Sequence, residues 1–84
     1  MTYTYYTRGT YSTRMDVELK DGIVENVTIY NGCNGNLKGI CALVKGMKAD
    51  EVVKRLKGIR CGNKNTSCPD QLAIAITEAM ANAN

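Results

Sequence analysis

The fold is decided by residues 14–30, which read Arg-Met-Asp-Val-Glu-Leu-Lys-Asp-Gly-Ile-Val-Glu-Asn-Val-Thr-Ile-Tyr. In the first half of this stretch the apolar residues Met15, Val17 and Leu19 alternate with charged residues. Side chains of a strand point alternately to its two faces. This period therefore predicts a strand from about Ser12 to Lys20 with one face buried and the other solvated.

The second half of the stretch predicts another strand, from Ile23 to Tyr30. Its apolar face would carry Ile23, Val27 and Ile29, with Glu25 interrupting the alternation. The length of the turn sets the pairing register of the two strands. A three-residue loop, Lys20-Asp21-Gly22, pairs Leu19 with Ile23 and keeps the apolar residues together, with the glycine at the left-handed position of a bulged turn. We favour this loop over a two-residue Asp21-Gly22 turn.

The flanking segments extend the hairpin to an α+β fold. Residues 2–8 are mainly Thr and Tyr and predict a first strand. Helical spacing of apolar residues predicts helices over residues 34–45 and 49–57, and a third helix that begins at Pro69 and frays near Asn82. Strands followed by helices indicate a three-stranded antiparallel β-meander with three helices packed on one of its faces.

Length and composition restrict the function classes. The 84 residues form a single domain, 1–84, and the net charge of +3 is carried by dispersed Lys and Arg, which argues against a nucleic-acid-binding protein. No apolar run approaches the roughly 18 residues of a membrane-spanning helix, and the N-terminus does not begin a signal peptide. We therefore expect a cytoplasmic protein, in which four cysteines are reduced, metal-bound or catalytic rather than paired in disulfides.

The core of this chain must be aliphatic, because the sequence contains no Phe and no Trp. A chain of this length forms a thin core, and small domains often supplement the core by oligomerisation. We therefore expect a homodimer that shares an edge strand or a helix face.

The cysteines differ in their surroundings. Cys41 lies on the apolar stripe of the first predicted helix, which indicates a small core residue. Cys33 lies in the run Asn-Gly-Cys-Asn-Gly-Asn at residues 31–36, where a strand gives way to a helix whose start offers N–H donors. Cys68 directly precedes the proline that opens the third helix, so the positive end of the helix dipole would stabilise its thiolate.

Three of the cysteines are candidates for one site. Cys61 and Cys68 enclose a polar loop, and together with Cys33 they provide three sulfurs in polar turns. Three thiolates could hold zinc, with a position left for a fourth ligand, or an iron–sulfur cluster. Candidates for hydrogen bonds around these sulfurs are Asn34, Asn36 and Thr66. A disulfide between Cys61 and Cys68 is the redox alternative.

An organic cofactor is a further alternative. Gly32 and Gly35 would allow the backbone to approach a ligand closely, and the N-terminal tyrosines could stack against a flavin or a base. The glycine spacing matches neither the dinucleotide-binding nor the P-loop fingerprint. The sequence therefore leaves a flavin- or nucleotide-binding protein open beside the metal site and the thiol-redox protein.

The pentapeptide Thr66-Ser67-Cys68-Pro69-Asp70 resembles the signature of the TSCPD-domain family. The similarity covers nearly the whole chain, through Tyr3-Thr4-Tyr5, residues 32–37, Lys45-Gly46-Met47 and residues 56–72. The same module resembles a segment near the C-terminus of adenosylcobalamin-dependent ribonucleotide reductases. The resemblance implies an accessory role in ribonucleotide reduction or metal handling. It implies no radical chemistry, because this chain lacks the reductase barrel.

One position departs from the family pattern. Small members resembling this chain often carry a cysteine where Tyr11 stands, in Gly9-Thr10-Tyr11-Ser12. If that cysteine completes a four-thiolate site, this protein has lost one ligand. Either three sulfurs and another donor hold the metal, or the site accepts an organic ligand beside Tyr11 and the other tyrosines.

Overall fold

The computed structural model confirms the α+β prediction. It describes residues 2–9, 13–31, 34–60, 62–63 and 65–82, and only the backbone of residues 34 and 35. Three strands, β1 (Thr2–Tyr6), β2 (Arg14–Lys20) and β3 (Ile23–Tyr30), form one antiparallel sheet in the order β1-β2-β3. Three helices follow: α1 (Asn34–Val44), α2 (Ala49–Leu56) and α3 (Cys68–Asn82).

The helices cover one face of the sheet. α3 packs on β1 and β2, α1 packs on β3, and α2 packs on α3. Along β2, Met15, Val17 and Leu19 are buried, as their alternation predicts. The core that they form with the helices is aliphatic, and its other fully buried members include Val24, Val52, Leu72 and Ile76.

The hairpin turn corrects the predicted register. Asp21 and Gly22 both have positive φ angles, 53° and 78°, and Leu19 pairs with Val24. Two positive φ angles define a type I′ turn, which Asp-Gly favours and whose twist matches that of the flanking strands. The prediction of a three-residue loop that pairs Leu19 with Ile23 is therefore wrong.

A β-bulge explains why the apolar pattern misled the prediction. The register between β2 and β3 shifts between Glu18 and Leu19, so that Glu25 is an extra residue in β3. The extra residue reverses the alternation, and Val24 and Val27 are both buried although three positions separate them. The interruption that Glu25 makes in the sequence pattern is the bulge itself.

Glycines in the left-handed conformation end the first two helices. Gly46 follows α1 with a φ of 87°, and Gly58 follows α2 with a φ of 88°. Glycine adopts this conformation without steric cost, so these helices end close to the predicted positions 45 and 57. No helix in the described part of the chain is long and apolar enough to cross a membrane.

The segment after α1 covers part of the β3 edge of the sheet. The N–H of Gly46 donates to the carbonyl of Val24 at 2.7 Å, and the N–H of Val24 donates to the carbonyl of Met47 at 2.9 Å. The N–H of Ala49 donates to the carbonyl of Gly22 at 2.8 Å. The first half of β3 is therefore bonded on both sides, whereas β1 is the strand at the other edge.

Candidate functional site

A serine caps the helix that carries the candidate cysteine. α3 begins at Cys68, one residue before the predicted start. The Oγ of Ser67 accepts the N–H of Asp70 at 3.2 Å, and the carbonyl of Ser67 accepts the N–H of Gln71 at 2.8 Å. The same Oγ donates to the carbonyl of Ile59 at 2.6 Å. The start of α3 is thereby bonded to the segment after α2.

Asp70 adds a second connection to that segment. Its Oδ1 accepts the N–H of Gly58 at 2.7 Å, and its Oδ2 accepts the hydroxyl of Thr66 at 2.5 Å. The hydrogen bond from Thr66 and then that from Gly58 lower the pKa of Asp70 below its usual value, because both bonds favour the carboxylate. Both carboxylate oxygens therefore act in holding the loop together.

Gln71 connects the start of α3 to the first strand and the loop that follows it. Its Oε1 accepts the hydroxyl of Tyr5 at 2.8 Å and the N–H of Arg8 at 3.0 Å, and its Nε2 donates to the Oγ1 of Thr66 at 2.9 Å. Gln71 is buried, so each of these polar groups finds a partner within the protein. We call Thr66, Ser67, Asp70 and Gln71, with the groups that they bond, the motif network.

The segments around this network meet at one end of the sheet. A Cβ on Gly9, whose φ is +72°, would lie 3.1 Å from the Cγ2 of Thr66, so glycine lets the loop after β1 lie against the motif. The N–H of Thr7 donates to the carbonyl of Thr13 at 3.3 Å, just before β2, and the Nδ2 of Asn31, just after β3, donates to the Oγ1 of Thr13 at 2.7 Å. The end of β1 and the end of β3 thus both lie beside the start of β2, and the motif adjoins the end of β1 and the loop that follows it.

The predicted site residues fall into three groups. Thr66 belongs to the motif network, and Cys68 adjoins it in the sequence. The thiol of Cys68 is half-buried and packs against the core. Asn36 is exposed on α1, whose first two residues, Asn34 and Gly35, have described backbones. The remaining predicted site residues lie outside the described residues; they are Tyr11, Gly32, Cys33 and Cys61. Among the residues that are described, no three or more His, Cys, Asp or Glu side chains form a group that could hold a metal ion.

Cys41 lies apart from the motif network, beside the core. It is half-buried and lines a cleft of about 230 Å³ between β3 and α1, together with Ile29 and Leu37. Burial raises the pKa of the Cys41 thiol, which disfavours the thiolate form. These surroundings agree in part with the prediction of a core residue, since Cys41 packs against the core but is not fully buried.

The tyrosines of β1 are divided between two faces of the sheet. The hydroxyl of Tyr3 donates to the Oε1 of Glu78 at 2.6 Å, and Tyr5 bonds Gln71, so both face α3. The hydrogen bond to Glu78 raises the pKa of Tyr3, and burial raises that of Tyr5. Tyr6 points to the opposite face and is 68% exposed. These tyrosines therefore do not form one stacking surface.

Ser67, Asp70 and Gln71 were missed as candidate site residues in the sequence. A serine followed three residues later by an acidic residue is a signal for the start of a helix, so the cap at Ser67 could have been found. Nothing in the sequence spacing connects Gln71 with Tyr5. That connection depends on how α3 packs on β1.

A family model matches nearly the whole chain, including most of its helices and strands. The TSCPD domain model matches residues 1–80, which includes the strands, the first two helices and the motif at residues 66–70. Comparison with curated proteins gave no match, and comparison with solved structures gave none. Since the family match extends over nearly the whole chain, this chain belongs to the TSCPD-domain family.

Proposed function

We propose that this TSCPD-domain protein is a small cytoplasmic binding module that holds zinc or an iron–sulfur species through Cys33, Cys61 and Cys68. The observation that carries the proposal is the motif network, because it surrounds Cys68 on both sides in the sequence. Thr66 and Ser67 precede the cysteine, and Asp70 and Gln71 follow it. Ser67, Asp70 and Gln71 each make a hydrogen bond to another segment, and Thr66 is bonded to Asp70 and Gln71. A ligand on a backbone held in this way is oriented before the metal binds.

The neighbouring segments support a common site for Cys33 and Cys68. Asn31, two residues before Cys33, lies at the same end of the sheet as Thr13. The loop after β1 at that end lies against Thr66, two residues before Cys68. A short chain segment therefore separates each of these two cysteines from the same end of the sheet.

The donor set fits zinc or an iron–sulfur species. Thiolates are the usual ligands of structural zinc and of iron–sulfur clusters, and the chain has no histidine that could replace them. Asp70 accepts a hydrogen bond at each of its oxygens and so holds the loop together, and the thiol of Cys68 is the sulfur donor that the motif offers. With three thiolates, a bound zinc would keep one coordination position for a fourth donor. The family suggests an accessory role in ribonucleotide reduction or metal handling as the cellular context.

Metal content decides the proposal. The full chain is purified anaerobically without chelator, and zinc and iron are measured per chain in the wild type and in four single variants. We expect stoichiometric metal in the wild type and in the matched control Cys41→Ala. We expect the metal content per chain to fall clearly in Cys33→Ala, Cys61→Ala and Cys68→Ala, because each removes a ligand, and loss of even a hydrogen-bond partner of a ligand typically costs about 10–100-fold in metal affinity. Circular dichroism checks that every variant is folded.

Two outcomes would contradict the metal site. One is a folded wild-type protein without zinc or iron, and the other is a Cys41→Ala variant that loses metal as fully as the other three. The absorption spectrum of the same sample tests the flavin alternative, since flavin absorbs in the blue. A metal-free sample in which Cys61 and Cys68 form a disulfide on mild oxidation would favour the thiol-redox alternative instead.

A further inference from the structure

In the described part of the chain no segment pairs with the outer edge of β1, and this strand has no charged side chains. β1 consists of the five residues Thr-Tyr-Thr-Tyr-Tyr, and its neighbour in the described sheet is β2 alone. Natural proteins usually protect such an edge with charged side chains, proline or a covering segment, because its N–H and C=O groups can pair with another strand. The opposite edge has such a cover, since the segment around Met47 bonds the first half of β3.

The backbone groups that face the open edge follow from the hydrogen bonds of the sheet. Val24 bonds outward to Met47, so its pair with Leu19 is not hydrogen-bonded and the backbone of Leu19 points to β1. Alternation along β2 then directs Val17 and Met15 to β1, where they pair with Tyr3 and Tyr5. The outward residues are consequently Thr2, Thr4 and Tyr6, and all three have exposed side chains.

These three residues are self-complementary under a two-fold axis. An antiparallel pairing centred on Thr4 sets Thr4 opposite Thr4 of a second copy and Thr2 opposite Tyr6 of that copy. Every outward N–H and C=O of the three residues then finds a partner. A two-fold interface requires that the same patch serve both subunits, and this strand meets that condition.

The charges beside the strand match the same arrangement. A hollow of about 380 Å³ runs along β1 and is lined by Glu78 near Tyr3 and by Arg8 beyond Tyr6. Antiparallel pairing exchanges the two ends of the strand. It therefore brings Arg8 of one copy to the end where Glu78 of the other copy lies, and a parallel pairing would not.

We propose that a second copy of this chain occupies the β1 edge, so that the two sheets join into one six-stranded antiparallel sheet around Thr4. The pairing uses backbone groups on the strand and none of the cysteines. It is therefore independent of the metal site proposed above, and the failure of one proposal leaves the other intact.

Lysine substitutions at two positions that flank Asp16 on the neighbouring strands test the pairing. Thr4 on β1 and Thr28 on β3 both pair with Asp16, and both side chains are exposed, so a lysine at either position meets the same carboxylate within its own chain. Thr4→Lys, however, also sets two like charges opposite each other at the two-fold axis, which is destabilising. Sedimentation equilibrium should give twice the chain mass for the wild type and for Thr28→Lys, and the chain mass for Thr4→Lys.

A second variant and a second measurement keep the result decisive if Thr4→Lys is unfolded. Thr4→Pro removes the outward N–H at the centre of the pairing, and proline is tolerated on an edge strand when its nitrogen faces away from the sheet. Hydrogen exchange on the wild type needs no variant: the N–H groups of Thr4 and Tyr6 should be protected in the dimer and lose this protection on dilution.

The proposal is overturned by a wild-type chain that stays monomeric at every soluble concentration. It is also overturned if both Thr4 variants remain dimeric, if Thr28→Lys dissociates as fully as Thr4→Lys, or if Thr4 and Tyr6 exchange at the rate of open amides at high concentration. The relative orientation of the two β1 strands has its own test. Arg8→Glu should weaken the dimer at low salt, and should weaken it less at high salt. An unchanged dimer in that variant would contradict the antiparallel arrangement.

Discussion

Two aspartates, Asp70 and Asp16, both have lowered pKa values, but for different reasons. The carboxylate of Asp70 is stabilised by uncharged donors, the hydroxyl of Thr66 and the N–H of Gly58. That of Asp16 is stabilised first by the guanidinium of Arg14, whose Nη2 lies 2.9 Å from Oδ2. Asp16 belongs to a group on the uncovered face of the sheet, which we call the open-face network; its members are Thr4, Arg14, Asp16 and Tyr30.

The two networks connect different parts of the chain. In the open-face network, Thr4 and Asp16 are cross-strand neighbours, as are Arg14 and Tyr30, whose ring lies 4.4 Å from the guanidinium. Forming the sheet is enough to bring them together. The motif network instead joins α3 to β1, which lies more than sixty positions earlier in the chain, and to the segment after α2. Its loss should therefore cost more stability than loss of the open-face network.

The largest expected effect comes from removing the carboxylate of Asp70, and removal of the Asp16 carboxylate is the comparison. Asp70→Ala leaves the N–H of Gly58 and the hydroxyl of Thr66 without their acceptor, and we expect the free energy of unfolding to fall by about 1.5–3 kcal/mol. Asp16→Ala should cause a clearly smaller loss, because ion pairs that stay partly exposed to solvent contribute little. Urea unfolding followed by circular dichroism measures both.

The dependence on ionic strength gives a second test of the difference between Asp70 and Asp16. The loss caused by Asp16→Ala should shrink at high ionic strength, because the partner of Asp16 is a charged guanidinium. The loss caused by Asp70→Ala should change less, because its hydrogen-bond donors are uncharged. Equal losses for the two variants, with equal salt dependence, would contradict the distinction between the networks.

A smaller effect is expected from the helix cap. Ser67→Ala removes the Oγ that accepts the N–H of Asp70 and donates to Ile59, and we expect the free energy of unfolding to fall by about 1 kcal/mol. Thr77→Ala on the same helix removes an exposed hydroxyl that bonds only the carbonyl of Ala73. Alanine has a higher helix propensity than threonine, so this control should be as stable as the wild type or slightly more so. A Ser67→Ala variant as stable as Thr77→Ala would exclude the capping role.

The smallest expected effect is a change in how stability depends on pH in acid. Because the pKa of Asp70 is lower in the folded chain than in the unfolded one, its stabilisation is complete above about pH 4 and is lost as the pH falls through the folded-state pKa. The stability of Asp70→Asn should therefore depend less on pH below about pH 4 than that of the wild type. Urea unfolding at several acid pH values tests this, and parallel curves for the two proteins would refute it.

Much of the fold could be predicted because local patterns agree with it. The alternation in β2 and the helical spacing around the glycines at 46 and 58 gave the elements and nearly all their ends. The register of the hairpin could not be read in the same way. A tight Asp-Gly turn and the bulge at Glu25 each shift the alternation by one residue, and the sequence pattern shows only their combined result.

The candidate site was predictable in part. The pentapeptide around Cys68 identified the family, and the start of the third helix followed from its proline. Two partners of Gln71, Tyr5 and Arg8, were not predictable, because they lie in the first strand and just after it, more than sixty positions earlier in the chain.

By itself, the sequence determined the order of the strands and helices, the aliphatic face of β2, the family, and the cysteine at the start of α3. These features depend on residues close together in the chain, where periodicity, turn residues and helix caps act. The tertiary structure alone decided which polar groups satisfy one another around the motif and which edge of the sheet stays open. Those outcomes depend on how α3 and the segment after α1 pack against the sheet, and packing joins residues whose separation in the sequence carries no local signal.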